Sequence, residues 1–243
     1  MKFDLHIHSC LSPCASLEMS PSDIVKRAAS SGIDCIALTD HQSAMNAPAI
    51  AECARQAGVK CLFGLEVCTA EETHTLALFD TVRQAIAMTE WVYDSMPKRV
   101  NDPDVFGDQP IVTFDNEIID MEWRILAMGC RRSIQEASGK CHELGGLYVA
   151  AHIDRPNFSV YSQLGAIPSD CFDAVELSRT ADESVWLPKS GGLAVVRSSD
   201  AHNIDDVAKV WTEADLTYFS VDALKDIFDK RATRISPPLR AFH

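Results

Sequence analysis

Asp4-Leu5-His6-Ile7-His8 decides how the chain is read. In an extended strand alternate side chains share a face, so His6 and His8 project together while Ile7 turns into the opposite wall. Two neutral imidazoles side by side at a strand end make half of a metal site, and zinc, iron and manganese all suit them. If the pair binds metal, other strands must end in His, Asp or Glu as well.

Working outward, short β-runs alternate with helical segments. Lys2 to Ile7 is the first strand. Ser20-Pro21-Ser22-Asp23 supplies an N-cap, a first-turn proline and an acidic third position, opening a helix that ends at Gly32. Cys35 to Thr39 is a continuous apolar run, as expected for a strand buried on both faces. A helix over about 48–57 stops at Gly58, then Lys60 to Val67 and Thr75 to Phe79 return as strands. Val82 to Ser95 has helical spacing, 101–110 reads as loop, and Asp115-Asn116 turns a hairpin between 111–114 and 117–119. Residues 82–128 hold too few apolar side chains for a core of their own, so they read as an insertion forming one wall of a pocket, within a single domain over 1–243. Ser133 caps a helix to Leu144, ended by Gly145-Gly146, and strands follow at 147–151, 174–177 and 193–196. Ser220 caps a last helix to about Lys230, and Pro237-Pro238 begins an irregular tail. Repeated β-then-α units imply a parallel sheet, open or closed into a barrel, with functional groups at the carboxyl ends of the strands.

The metal-type residues sit at those ends. Asp40-His41 follows the second strand, Glu66 closes the third, His74 opens the strand beside it, and His152 follows 147–151. Asp200 and His202 follow 193–196. Of eight histidines only His142, in a helix, and His243, at the terminus, fall outside the pattern.

With these residues in place the chain resembles the polymerase and histidinol phosphatase (PHP) family of metal-dependent phosphoesterases. The four motifs appear in order: Asp-Leu-His-Ile-His at 4–8, Leu-Thr-Asp-His at 38–41, Ala-His at 151–152 and Ser-Asp-Ala-His at 199–202. Gly64-Leu65-Glu66 and His74 match the bridging glutamate and the histidine after it. The resemblance implies an α/β fold, a distorted (β/α)7 barrel, with two or three divalent ions (Zn, Mn or Fe) at the strands' carboxyl ends. Carried over, it places His6, His8, Glu66 and Asp200 around a first ion. It places Glu66, His74 and His152 around a second, and His41 and His202 around a third. Asp40 would orient a ligand from behind. Relatives often carry a His or Asp seven or eight positions after the first motif histidine, where this chain has Pro13 and Cys14. Proline cannot ligate. Cys14 either supplies a soft thiolate favouring zinc or iron, or is a small loop residue beside a weak or empty third site.

Clustered cations acidify a shared water and neutralise phosphate oxygens, so hydrolysis of a small-molecule phosphomonoester is the expected function. Glu66, Asp40 and His202 are the residues expected to act in catalysis, with Arg155 and Arg179 binding the phosphate. A non-catalytic metal-binding regulatory module and a metal-dependent hydrolase of a C–N or C–O bond are the alternatives. The arginines favour phosphate, and the intact ligand set disfavours a decayed site. A net charge of −13 offers no obvious track for nucleic acid or an anionic membrane surface. The chain has no apolar run of bilayer length, and with its opening strand at Lys2 no leader is expected. Nine scattered cysteines without a CxxC pair read as reduced thiols, so the cytoplasm is the expected compartment.

Overall fold

Strands that are apolar on both faces need cover on both, and a closed sheet ringed by helices provides it. The structure, a computed structural model that describes residues 1–239, has this form. In chain order it contains β1 (Lys2–Ile7), α1 (Pro21–Ser30), β2 (Cys35–Leu38), α2 (Ala47–Ala57), β3 (Lys60–Cys68), β4 (His74–Phe79) and α3 (Val82–Tyr93). There follow α4 (Pro103–Phe106), β5 (Pro110–Val112), β6 (Ile118–Met121), α5 (Ile134–Glu143), β7 (Leu147–Ala150) and α6 (Val160–Leu164). The last elements are β8 (Ala174–Leu177), α7 (Glu183–Trp186), β9 (Ala194–Arg197), β10 (Thr212–Glu213), α8 (Val221–Asp229) and β11 (Arg234–Ile235).

The large sheet runs β11-β10-β1-β2-β3-β4-β7-β8-β9. Its seven main strands, β1 to β4 and β7 to β9, form a nearly closed ring. At the carboxyl rim the seam between β9 and β1 is bridged where Ile7 pairs with Ala201 and His8 N–H donates to the Ala201 carbonyl at 3.0 Å. At the opposite end β10 wedges against β1, and the Thr212 hydroxyl accepts from Arg197 N–H (2.8 Å) and donates to the Arg197 carbonyl (3.0 Å). This is the distorted (β/α)7 barrel, with β5 and β6 as a separate two-stranded hairpin between β4 and β7.

The sheet is not wholly parallel as the β-then-α repeat implies: β4 runs antiparallel to both β3 and β7. The physical reason is connection length. Only 69–73 joins β3 to β4, which is too short for a crossover, so the pair closes as a hairpin with Thr69 N–H donating to the Thr73 carbonyl at 2.9 Å. The reversal brings Cys68 opposite His74, so β4 begins at the rim where the other strands end.

Two cores sandwich the ring. Phe3, Leu5, Ala37, Leu62, Leu76, Leu78, Val149, Ala174 and Val196 pack together with Leu224 and Phe228 of α8. Ile7, Ile36, Leu38, Leu65, Val67 and Phe79 pack instead with the helices outside, among them Ile24 of α1 and Ile50 of α2. Leu5 and Ile7 therefore face different cores although two residues apart. The register irregularity between Asp4 and Ile7 on β1 supplies that switch of face.

Expected helix starts recur as local chemistry. Ser20 accepts from Asp23 N–H before Pro21, Ser133 and Glu136 form a reciprocal capping box, and Gly58 ends α2 in the left-handed region at φ 71°. Within the expected loop at 101–110, Pro103–Phe106 forms one helical turn capped by Asp102. Among the described residues no helix is long and apolar enough to cross a membrane, and all nine cysteines are unpaired.

Gly64 is the tightest point of the hairpin. A Cβ there would overlap the Ala77 carbonyl oxygen and the Leu78 side chain, on backbone that cannot yield cheaply. Gly64→Ala should destabilise by ~2 kcal/mol and lower the melting temperature by about 4–8 °C. A melt by circular dichroism checks this, and an unchanged midpoint would contradict the close approach.

Candidate metal centre

β3 carries Glu66 to the rim, and five imidazoles meet its buried carboxylate. His74 Nδ1 stands at 2.8 Å, His41 Nδ1 at 2.9 Å, His152 Nε2 at 3.1 Å, His6 Nε2 at 3.4 Å and His8 Nε2 at 3.5 Å. Burial opposes charge on Glu66, but His74, His6 and His41 outweigh it and hold the carboxyl well below the usual range. Asp200 follows the same logic: burial raises it, and His6 and His8 more than reverse that. Its Oδ1 lies 3.4 Å from His6 Nε2 and 3.2 Å from His8 Nε2.

What holds the imidazoles is as informative as what they face. His6 Nδ1–H donates to Glu176 of β8 at 3.0 Å. The Ser12 hydroxyl accepts from His8 Nδ1–H (2.9 Å) and from His41 N–H (3.1 Å) while donating to Asp40 at 2.7 Å. Asp40 also accepts from the Ser9 backbone and hydroxyl, each at 2.7 Å. With both Nδ1 atoms engaged, His6 Nε2 and His8 Nε2 confront each other at 3.1 Å. Two lone pairs at that distance repel unless positive charge lies between or beside them. Burial would strip charge from His6, yet Glu176, Asp200 and Glu66 overcome it and draw positive charge there. A divalent cation meets the same demand.

The donor set fits such an ion. Three groups, His6/His8/Glu66, His41/Glu66/His74 and His8/His41/His202, each bring their ligand atoms within 4.8 Å of one another. Imidazole nitrogen with carboxylate oxygen suits zinc, iron and manganese. His152 Nδ1 is buried without a hydrogen-bond partner among the described residues, and His152 and Asp200 hold φ of 28° and 47°, a strain that clusters at functional sites.

The remaining expected residues divide. His202 stacks on His8, ring centroids 4.2 Å apart, and its Nδ1–H donates to the Asp200 carbonyl at 2.9 Å. Cys14 lies at the rim outside the three groups; burial raises its thiol, but neighbouring His202 and His41 prevail and bring it down to about 6. Arg155 pairs with Asp200 and shares a small pocket with His74, His152 and Asn157. Arg179 pairs with Asp206 at 2.8 Å, which neutralises its charge, and makes no ion pair with the cluster among the described residues. Asp40 meets serines and reaches the imidazoles only through Ser12. His142 pairs with Asp173 at 2.9 Å on the surface, and His243 lies outside the described residues.

Glu176, Ser9 and Ser12 support the site without having been singled out by the sequence, and Asp4, part of the first motif, has a role that the motif did not assign. Glu176 had a signal, an acid within the buried strand Ala174-Val175-Glu176-Leu177. Asp4 accepts from Ser199 N–H (2.9 Å) and Ala208 N–H (3.3 Å), tying the first motif to the last. The serines had none, since loop serines are common.

The sequence matches the PHP domain family over residues 4–155, and the chain belongs to that family. No curated protein matches it significantly. Among solved structures, the lesion-specific endonuclease EndoQ from Pyrococcus furiosus is similar at 18% identity and TM-score 0.73, over 96% of this chain and 57% of that one. This chain thus spans little more than half of that endonuclease. A Bifidobacterium adolescentis protein, for which metal-dependent phosphoesterase activity is proposed, is similar at 16% identity and TM-score 0.61, over 95% of this chain and 96% of its own. An amidohydrolase from Chromobacterium violaceum is similar at 19% identity and TM-score 0.57, over 99% of both chains. At these identities the likeness is one of fold.

Elemental analysis of the purified or reconstituted protein should find at least two transition-metal ions per chain. Fewer than one would contradict the centre. His8 belongs to two of the donor groups, but with Nδ1 held by Ser12 it has one nitrogen to give. A third ion therefore needs another donor beside His41 and His202. Cys14→Ser should lower the stoichiometry by about one without unfolding the chain, and an unchanged count would leave Cys14 a loop residue.

Proposed function

We propose that the chain is a metal-dependent phosphoesterase that hydrolyses a small phosphomonoester, and that residues 1–243 form one PHP-type domain with 82–128 as its insertion. The observation that carries the reading is the convergence of five imidazoles on the Glu66 carboxylate, with the Arg155 guanidinium beside Asp200 at the same rim. His6, His8, Glu66 and Asp200 would hold one ion, Glu66, His74 and His152 a second, and His41, His202 and Cys14 a third. Bound zinc, manganese or iron supplies Lewis acidity toward water and phosphoryl oxygens.

The chain's own residues do the rest. Glu66 offsets the positive charge gathered around it and fixes the spacing of the imidazoles. Glu176 keeps the His6 proton on Nδ1 and so presents Nε2 to the site; Ser12 does the same for His8, backed by Asp40. Arg155 is the one guanidinium at the cluster among the described residues, and its planar donors match two phosphoryl oxygens. His202, partly exposed and stacked on His8, would act beside the ions.

The likeness to a DNA-lesion endonuclease favours a second reading, nucleic-acid cleavage. The net charge of −13 weighs against it, as do the small cavities of about 380 and 240 Å³ beside the imidazoles.

The test is hydrolysis of a phosphomonoester panel and of a duplex with an abasic site, with each metal. Glu66→Gln keeps the size but removes the charge, so activity should fall by about a hundredfold or more, together with metal content. Arg155→Ala should chiefly raise KM while the metals stay. If no phosphoester is cut with manganese, iron or zinc, the phosphatase reading fails. Cleavage of the duplex alone would favour the nuclease, and a fully active Glu66→Gln would remove the bridging role.

A further inference from the structure

Two cavities open beside the imidazoles, and they differ in chemistry. The smaller is lined by His74, His152, Arg155, Pro156, Asn157 and Phe158. It brings a guanidinium and an amide together, which suits phosphoryl oxygens. The larger, about 380 Å³, lies across Phe158, and beyond His41, His74 and thiol groups its walls are apolar: Val105, Phe106, Leu126, Ala127 and Phe158. No Lys, Arg, Asp or Glu lines it.

Phe158 is the divider. Its ring lies flat on His74, centroids 4.7 Å apart and planes 17° from parallel. Its carbonyl accepts from His74 N–H at 2.8 Å, and its φ of 56° is uncommon for a bulky side chain. The opposite wall is built, not incidental. Gly107, just after α4, packs against the Pro13 carbonyl so closely that a Cβ would stand 3.0 Å from it, and Asn101 donates to the Gly107 carbonyl at 2.9 Å. The insertion is thereby held over the loop that follows His8.

We propose that the larger cavity receives the alcohol portion of the substrate, and that this portion is an uncharged, planar, apolar ring of one or two cycles. The inference rests on the phosphoesterase reading and specifies its substrate class. In the reaction the oxygen of water joins phosphorus and the bond from phosphorus to the ester oxygen breaks. The electron pair stays on that oxygen, which takes a proton from water, releasing the alcohol and inorganic phosphate. A charged leaving group would lose its hydration against Val105, Phe106 and Leu126, and the polar groups in the same lining, His41, His74 and Cys14, are the ones proposed to hold metal. A ring would gain by burial, and the cavity lies at the small end of ligand sites.

Two alkyl esters of comparable reactivity separate fit from intrinsic lability: 2-phenylethyl phosphate and glycerol 2-phosphate. The metal-loaded protein should prefer the phenylethyl ester by about tenfold or more in kcat/KM. Phe106→Asp, at a partly exposed position that tolerates the change, should cut that ratio by about tenfold, and Phe106→Leu should keep most of it. Calorimetry with 2-naphthol, which has no phosphate, should show binding to the wild type that Phe106→Asp weakens to the same degree. A preference near one, or naphthol that does not bind, overturns the subsite. If neither ester is hydrolysed but naphthol binds and Phe106→Asp abolishes it, the phosphoesterase reading fails and the apolar site stands.

Discussion

Five histidines on one buried carboxylate is an arrangement that a chain cannot hold locally. Glu66 lies in β3, and its neighbours come from β1, the end of β2, β4 and the end of β7. Only a ring of strands sharing one rim brings these ends together, and the closed barrel follows from that requirement as much as from its cores. The β3–β4 hairpin is part of the same constraint. A parallel β4 would end, not begin, at the rim, and His74 would then lie at the far side of the sheet. The His41–Glu66 bridge and the Ile7–Ala201 bridge continue the pairing beyond the regular strands, so the site is also where the barrel closes.

Much of this was legible in the sequence because the signals were periodic or terminal. The alternation His6-Ile7-His8 fixed the inward face, and donors after apolar runs fixed the rim. Caps at Ser20 and Ser133 and the stop at Gly58 marked helix ends that the structure reproduces within a residue or two. What escaped was short or non-local. β10 and β11 are two residues each, α6 and α7 four or five, and lengths of that order carry no period to read. The antiparallel β4 was hidden by the β-then-α count, although the five-residue link at 69–73 excludes a crossover. Glu176 and Ser12 act on imidazoles far away in sequence, Glu176 on His6 170 residues earlier. Arg179 had the right strand end, but its partner Asp206 could be found only in three dimensions.

The 82–128 segment is joined to the rest by apolar packing, with Met88, Val92, Ile111 and Leu126 in the main core, and to the site by hydrogen bonds. Asn46, between the second motif and α2, donates to Ser9 Oγ at 3.0 Å and to the Pro110 carbonyl at 3.3 Å, and accepts from Val112 N–H at 2.9 Å. Ser9 is held in turn by Asp40. Gln109 continues the link, accepting from Leu126 N–H at 2.9 Å and donating to the Glu122 carbonyl at 2.8 Å. Ser12, which orients His8, and the segment that walls the apolar cavity thus belong to one network through Asp40, Ser9 and Asn46. The wall is positioned relative to the metal-type residues, which is what selectivity for a leaving group requires.

The central claim is that the strand ends assemble a shared, histidine-rich metal centre around Glu66. X-ray absorption at the metal edge of the loaded protein tests it most directly. A shared centre gives a mixed nitrogen and oxygen shell with the multiple scattering of imidazole rings, and a second metal as a neighbour. An ion in an oxygen-only shell, with no imidazole scattering and no metal neighbour, would contradict it.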